Sequence, residues 1–302
     1  MKSTIGIAYF QLHLSIFLWG FAAIMGDLIS LSALTLVWWR VGLATLILGL
    51  FSKSISGLSR IQKGDLLSIS LTGGVLGLHW VAFYGSIKMA NASVALATLC
   101  AVSLFTAILN PLLNSIKVNK TNVIFGFLII PPLLVIGGSL GDIDIKGFFL
   151  GIVAAFLLAL FVLRNKRHVE NHNSFELVFL ELGSATILLG VAVACLLFVD
   201  ENITIIPQQS DWILLCLFVF GCTIAPFILN LKALNVVSAF TSNLVANLEP
   251  VYGVFFAAIL LNDHEELTLN FYLAVLFMFL LIFIHMIFYS NPSNLKERIP
   301  QN

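Results

Sequence analysis

Three ionisable residues stand where lipid-soluble sequence would otherwise run unbroken. They are Arg40 in LVWWRVGLATLILG (36–49), Glu181 in LVFLELGSATILLG (177–190) and Glu249 in ANLEPVY (246–252). A charge at the centre of a membrane-spanning helix costs roughly 2.5–3.5 kcal/mol on insertion scales. About six to ten Leu, Ile or Phe residues at ~0.3–0.6 kcal/mol each offset this. Such a helix inserts, but its charge still calls for a partner or a wet cavity. One cation and two carboxylates leave one acid without a counter-charge, and a carboxyl group so placed is suited to bind and release a proton. Glu181 and Glu249 are therefore the proton-coupling candidates. Simpler roles stand beside these: an ion pair or a cap on freed carbonyls for Arg40, and snorkelling to the nearby interface for Glu181.

Helix three offers a second kind of chemistry in GLHWVAFYGSIK. His79 and Phe83 are four apart, as are Trp80 and Tyr84, so a helix would present rings and an imidazole on adjacent stripes. That is either a wall for an aromatic or apolar solute or an interfacial belt. With Arg40 and Glu249, the candidate substrate-binding set comprises Trp19, Trp39, His79, Trp80, Phe83, Tyr84, Asn110, Asn243 and Asn247. The amides serve equally as interhelical glue, worth about 0.6 kcal/mol each. Pro111 and Pro250 interrupt apolar runs; each lacks an N–H, so a kink is expected at both. Cys100, Cys195, Cys216 and Cys222 all lie in apolar runs without paired spacing, so neither a disulfide nor a zinc site is expected. No cofactor or metal motif is present.

The elements that must position these groups are spanning helices. The chain is 60% hydrophobic and 10% charged, with a mean hydropathy of +1.04, outside the range of soluble domains. Apolar runs long enough to cross about 30 Å of hydrocarbon predict ten helices, near 7–27, 32–51, 66–87, 92–113, 121–139, 147–164, 175–199, 211–230, 238–261 and 268–289. The first apolar stretch reads as a spanning helix rather than a signal peptide. With the N-terminus inside, twelve basic residues face the cytoplasm: Lys2, Lys53, Arg60, Lys63, Lys117, Lys120, Arg164, Lys166, Arg167, Lys232, Lys296 and Arg298. Two, Lys88 and Lys146, lie outside. That asymmetry predicts that both termini are cytoplasmic. Neither a basic domain nor nucleic-acid binding is indicated.

The segments 36–49 and 177–190 match at seven of fourteen positions at an offset of 141. YGSIKMAN (84–91) over ILNLKALN (228–235) and AILNPLL (107–113) over ANLEPVY (246–252) follow in order. Five helices per copy is an odd number of crossings, so the second copy starts on the opposite face. The expected fold is therefore all-α and polytopic, with two inverted five-helix repeats at 1–140 and 141–290 and a cytoplasmic tail at 291–302. Arg40 and Glu181 fall at matched positions, roughly 9–12 Å deep on opposite sides of the midplane, where each would line one gate. Inverted repeats recur in secondary transporters, with substrate held between the halves.

At this point the chain resembles the EamA-type carriers of the drug/metabolite transporter superfamily over about 5–290. The marks are Leu18-Trp19-Gly20, the WWR of helix two and SAFTSNLVANLEPVYGVFFAAILLND at 238–263. Helix four departs from the usual pattern with Asn110 before Pro111, and helix one carries no acid before Asp27 at its very end, so the glutamate mechanism of the small four-helix relatives does not transfer. The resemblance implies a secondary carrier rather than an enzyme, working by alternating access. It implies efflux of amino acids or related metabolites across a bacterial inner membrane, to which the unpaired acid adds the expectation of protons as the coupling ion. Its partners would be a small-molecule substrate and membrane lipids, with the chain a monomer or homodimer. Import of a vitamin or nucleoside is the alternative within the class. A channel, a lipid scramblase and an intramembrane enzyme are the alternatives outside it. The only hydrolase-like pattern is GGSLG around Ser139, which ends a spanning helix instead of forming a strand–turn–helix elbow.

The orientation is directly testable. Single cysteines introduced in 52–65 and 165–174 should both react with a membrane-impermeant thiol reagent from the cytoplasmic face; labelling from opposite faces would overturn the topology.

Overall fold

A computed structural model describes residues 2–51, 55, 57–138, 142–199, 203–237, 242, 245–246, 248–261 and 267–289. Asn243 and Asn247, Ser139 and the tail 291–302 lie outside the described residues. The described residues contain helices and no strand. In order these are α1 (Lys2–Leu28), α2 (Ala33–Gly49), a short 3-10 turn (Leu58–Arg60), α3 (Lys63–Met89), α4 (Ala92–Leu99), α5 (Val102–Asn114), α6 (Lys120–Leu128) and α7 (Ile130–Gly138). Then come α8 (Asp142–Val169), α9 (Ser174–Leu197), α10 (Asp211–Val219), a π-helical segment (Phe220–Ile224), α11 (Ala225–Val236), α12 (Glu249–Leu260) and α13 (Leu269–Tyr289).

Seven helical stretches are long and apolar enough to cross a membrane, and three shorter apolar helices accompany them. The distribution of side chains agrees. Leu46, Leu112, Ile187 and Ile213 are each at least 70% exposed, while Arg40 and Glu181 are fully buried. Apolar exterior and charged interior invert the pattern of a soluble protein. The chain is an integral membrane protein.

Local chemistry sets the helix starts. Ser32 caps α2 by accepting from the Thr35 amide, and Asn91, Asn119 and Asn173 do the same for α4, α6 and α9. Each satisfies one of the orphan amides of a first turn. α8 runs longer than expected, absorbing the GDIDIKG segment from Asp142 onward and the basic cluster at its other end. An acidic start and Lys166, Arg167 and His168 in the last turn complement its dipole. Helix four is broken, but at Cys100–Ala101 between α4 and α5 rather than at Pro111. α5 passes through Pro111 to Asn114 and ends at Ser115 with φ 50°. Arg167 then donates to the Leu113 carbonyl at 2.6 Å and to Asn114 Oδ1.

The two segments that match at an offset of 141 pack against each other. Thr45 Oγ1 and Thr186 Oγ1 lie 3.4 Å apart. Each hydroxyl donates to its own helix, at the Val41 and Leu182 carbonyls, so their approach is packing rather than a bond. Around it, Gly42 faces the Thr186 methyl and Gly183 the Thr45 methyl; Gly49 faces the Phe179 ring and Gly190 the Trp38 ring. Each of these contacts of α2 on α9 thus has its reciprocal one offset away, the self-complementary pattern of a two-fold.

α3 lies at the centre, against α8 on one side and α9 on another. At Gly73 the two backbones come so close that a methyl group would meet the Glu181 carbonyl and the Ser184 hydroxyl. Gly73→Ala should therefore destabilise the protein by about 1–3 kcal/mol, read as a lower Tm in detergent. Gly64→Ala, where no atom lies within 4 Å, should leave the Tm unchanged.

Candidate substrate cavity

One cavity lies between the first and second halves of the chain. Its walls come from α1, α2, α3 and α4 on one side and from α8, α11, Ser242, Ala246 and α12 on the other. Water-molecule centres can occupy about 50 Å³ of it, room for about four waters.

Arg40 forms the floor. Its Nε donates to Thr223 Oγ1 at 2.7 Å, one terminal nitrogen to Tyr84 Oη at 2.8 Å, and the other to the Cys222 carbonyl at 2.9 Å. The guanidinium carbon lies over the rings of Trp80 and Phe218, 4.0 and 4.3 Å from their centroids, a cation–π arrangement strengthened by burial. These bonds use three of the five N–H groups of a guanidinium.

The acceptors exist because of a backbone defect. Pro226 has no N–H, so in a regular helix the Cys222 carbonyl, four residues earlier, would have no donor. The chain widens here into the π segment, Ala225 N–H reaching back to the Phe220 carbonyl, and Arg40 takes the freed oxygen. Thr223 gives its own proton to the Phe218 carbonyl at 3.0 Å, which leaves its oxygen to accept from Arg40. Capping a freed carbonyl is thus part of what Arg40 does, as one of its expected roles held.

Glu249 lies across the cavity in the first turn of α12, where an acid suits the helix dipole. It is 9% exposed and interacts electrostatically with Arg40. Among the described residues no ion pair within 4 Å joins the two. Pro250 follows within that first turn, where a missing N–H costs no bond. The expected kink is an interruption: Leu248 is in a turn and a new helix begins after it.

His79, Trp80, Phe83, Tyr84 and Trp19 all line the same space. His79 donates from Nδ1 to the Ala154 carbonyl at 2.9 Å, so in the neutral ring Nε2 is the acceptor. Among the described residues Trp19 Nε1 is buried without a partner, an N–H that a ligand could use. The remaining candidates are elsewhere. Trp39 donates to the Ile205 carbonyl at 2.7 Å and packs on Trp212. Asn110 accepts from Asn114. Glu181 is not at a gate of this cavity, nor does it snorkel: it is fully buried and accepts from Asn165 at 3.3 Å.

Phe161, Phe227, Asn230 and Ser242 also line the cavity, and sequence reasoning did not single them out. The readable signal was Pro226 in FGCTIAPF, the same argument applied above to Pro250.

If Pro226 is what frees the Cys222 carbonyl, Pro226→Ala should return that oxygen to the helix and leave Arg40 one acceptor short, costing about 1–3 kcal/mol. In an Arg40→Gln background the same change should cost much less, a coupling of about 0.5–3 kcal/mol in a double-mutant cycle of Tm values. Additive effects would refute the linkage.

Residues 145–287 match the EamA-like transporter family. No curated protein matches the sequence. A crystal structure of another protein superposes with a TM-score of 0.65, over 96% of this chain and 99% of that one, at 12% identity, a likeness of fold alone. By this match, the second half of the chain is similar to the EamA-like transporter family.

Proposed function

We propose that the protein is a ten-span secondary carrier whose two five-helix halves cross the membrane in opposite directions. In this reading it exposes the central cavity to each side in turn, and its substrates are small zwitterionic metabolites, amino acids foremost. The observation that carries the reading is the pair of opposite charges, Arg40 and Glu249, on facing walls of one cavity and not bonded to each other. A zwitterion fits that arrangement, its carboxylate toward the guanidinium and its ammonium toward the carboxylate. The rings of Trp80, Phe83, Phe161 and Phe227 suit an apolar side chain.

The inverted arrangement is supported by the reciprocal packing of α2 and α9. Two related halves can exchange conformations at nearly equal energy, which is what alternating access requires. The cavity as it stands has room for about four waters, so a larger amino acid enters only when the walls part. Export, a bacterial inner membrane, cytoplasmic termini and a monomeric or homodimeric state complete the proposal, together with proton coupling through a buried carboxyl group.

Purified protein in liposomes should show saturable counterflow of a radiolabelled neutral amino acid. Analogues lacking either the amino or the carboxyl group should compete poorly. Glu249→Gln should weaken zwitterion binding by about 10–100-fold, the loss expected of one charged hydrogen bond. Equal competition by the analogues would overturn the substrate class, and flux that never saturates would indicate a channel.

A further inference from the structure

A second buried polar system lies apart from the cavity, in the seam where α3, α8 and α9 meet. Glu181 is 0% exposed, as is Asn165. Asn165 Nδ2 donates to Glu181 Oε2 at 3.3 Å. Glu181 Oε1 and Asn165 Oδ1 are both buried without a partner among the described residues. Both are acceptors when the carboxyl is ionised, and neither can satisfy the other. A single proton on Oε1 changes that. A carboxylic acid pairs with a primary amide through two bonds, N–H to one acid oxygen and O–H back to the amide oxygen. One proton would thus satisfy both orphaned atoms, which buried polar groups require.

The same seam offers that proton a route. Asn165, His168 and His172 are spaced i, i+3, i+7 on α8 and its C-terminal turn, which is one helical stripe. Asp65, Ser68 and Thr72 have the same spacing on α3. The two stripes face each other: His172 Nε2 lies 3.6 Å from Asp65 Oδ2, and His168 Nε2 lies 3.3 Å from Ser68 Oγ and 3.4 Å from Thr72 Oγ1. Thr72 commits its proton to the Ser68 carbonyl, so toward His168 it only accepts. Ser68 can donate or accept, and therefore serves the imidazole with Nε2 protonated or bare. Asp65 is 53% exposed at its side chain and His172 13%, so the stripe begins in water and ends in the core. From His168 to Asn165 is one turn, about 4.5 Å along the axis, a step that one water molecule spans.

Charged groups on the neighbouring elements leave Glu181 without a counter-ion. At this end α3 carries Lys63 and Asp65, α8 carries Arg164, Lys166 and Arg167 with His168, α11 carries Lys232, and α9 itself carries Glu176; Lys166 is engaged with the Leu234 carbonyl and Glu170. Lys232 lies over the Phe175 ring, Arg167 caps α5, and Arg40 of α2 is engaged in the cavity. Only Asn165 is hydrogen-bonded to the carboxyl.

We propose that the Glu181 carboxyl group is a proton-binding site, served from the Asp65–His172 end of the bundle by the polar stripe through His168. The proton arrives from water at Asp65–His172, passes over the His168 imidazole and comes to rest on Glu181 Oε1, with no other bond made or broken. This deepens the reading of a proton-coupled carrier and rests on it for its purpose: it assigns the coupling proton to Glu181 and leaves Glu249 to the substrate.

Infrared pH titration of the full-length protein in lipid nanodiscs tests this without any substrate. The wild type should show a carboxylic C=O band that appears with acidification, is lost in Glu181→Gln, persists in Glu249→Gln and shifts in Asn165→Leu. After a rapid pH drop, His168→Ala should slow the appearance of that band by about tenfold or more without changing its final amplitude. In liposomes Glu181→Gln should keep substrate counterflow and lose accumulation driven by a pH gradient. A band that survives Glu181→Gln, or one abolished by sodium at constant pH, would overturn the assignment, as would an unchanged rate in His168→Ala. If no solute is carried at all, the carrier reading fails while the titration still decides whether Glu181 binds a proton.

Discussion

Burying a guanidinium in the middle of an apolar bundle is tolerable only where the fold supplies acceptors and polarisable faces in place of water. Arg40 obtains them from two separate elements: a hydroxyl from α3, and a hydroxyl and a carbonyl from the π segment. One side chain thus ties α2 to both. Tyr84 adds a further tie, its hydroxyl reaching the Ala22 carbonyl of α1 at 3.5 Å. The cavity is the space left in front of this arrangement.

The close approach of helices elsewhere makes that geometry possible. Gly73 and Gly77 let α3 press on α9, and Gly42 and Gly183 let α2 and α9 cross at their paired threonines. Without a hydrophobic driving force between helices in lipid, such small-residue contacts carry much of the association energy. They also keep the two polar systems apart. Arg40 and Glu249 share the cavity, whereas Glu181 and Asn165 are sealed between α8 and α9.

Much of the cavity was legible in the linear chain. The His79, Trp80, Phe83 and Tyr84 stripes follow from helical spacing alone, and Arg40 and Glu249 announce themselves by the cost of a charge in lipid. Trp39 misled because tryptophan beside a buried charge can point to either side of its helix, and here it faces Trp212. Asn110 misled because an asparagine one turn from another, Asn114, can satisfy itself locally. Phe161 and Phe227 were hidden by composition: with 26 phenylalanines in the chain, no single one is conspicuous.

The sequence by itself determined that the chain is helical and membrane-embedded, and where most helices begin and end. Those properties follow from hydropathy, capping residues and periodicity, which act over a few residues at a time. Only the tertiary structure decided which buried charge meets which partner. Arg40 and Glu181 occupy matched places in the repeat, yet one is bonded to a carbonyl 182 residues away and the other to an asparagine 16 residues away. The difference lies in what packs against each helix, α11 with its proline-freed carbonyl in one case and α8 in the other, and that is settled by close packing between distant segments rather than by any local rule.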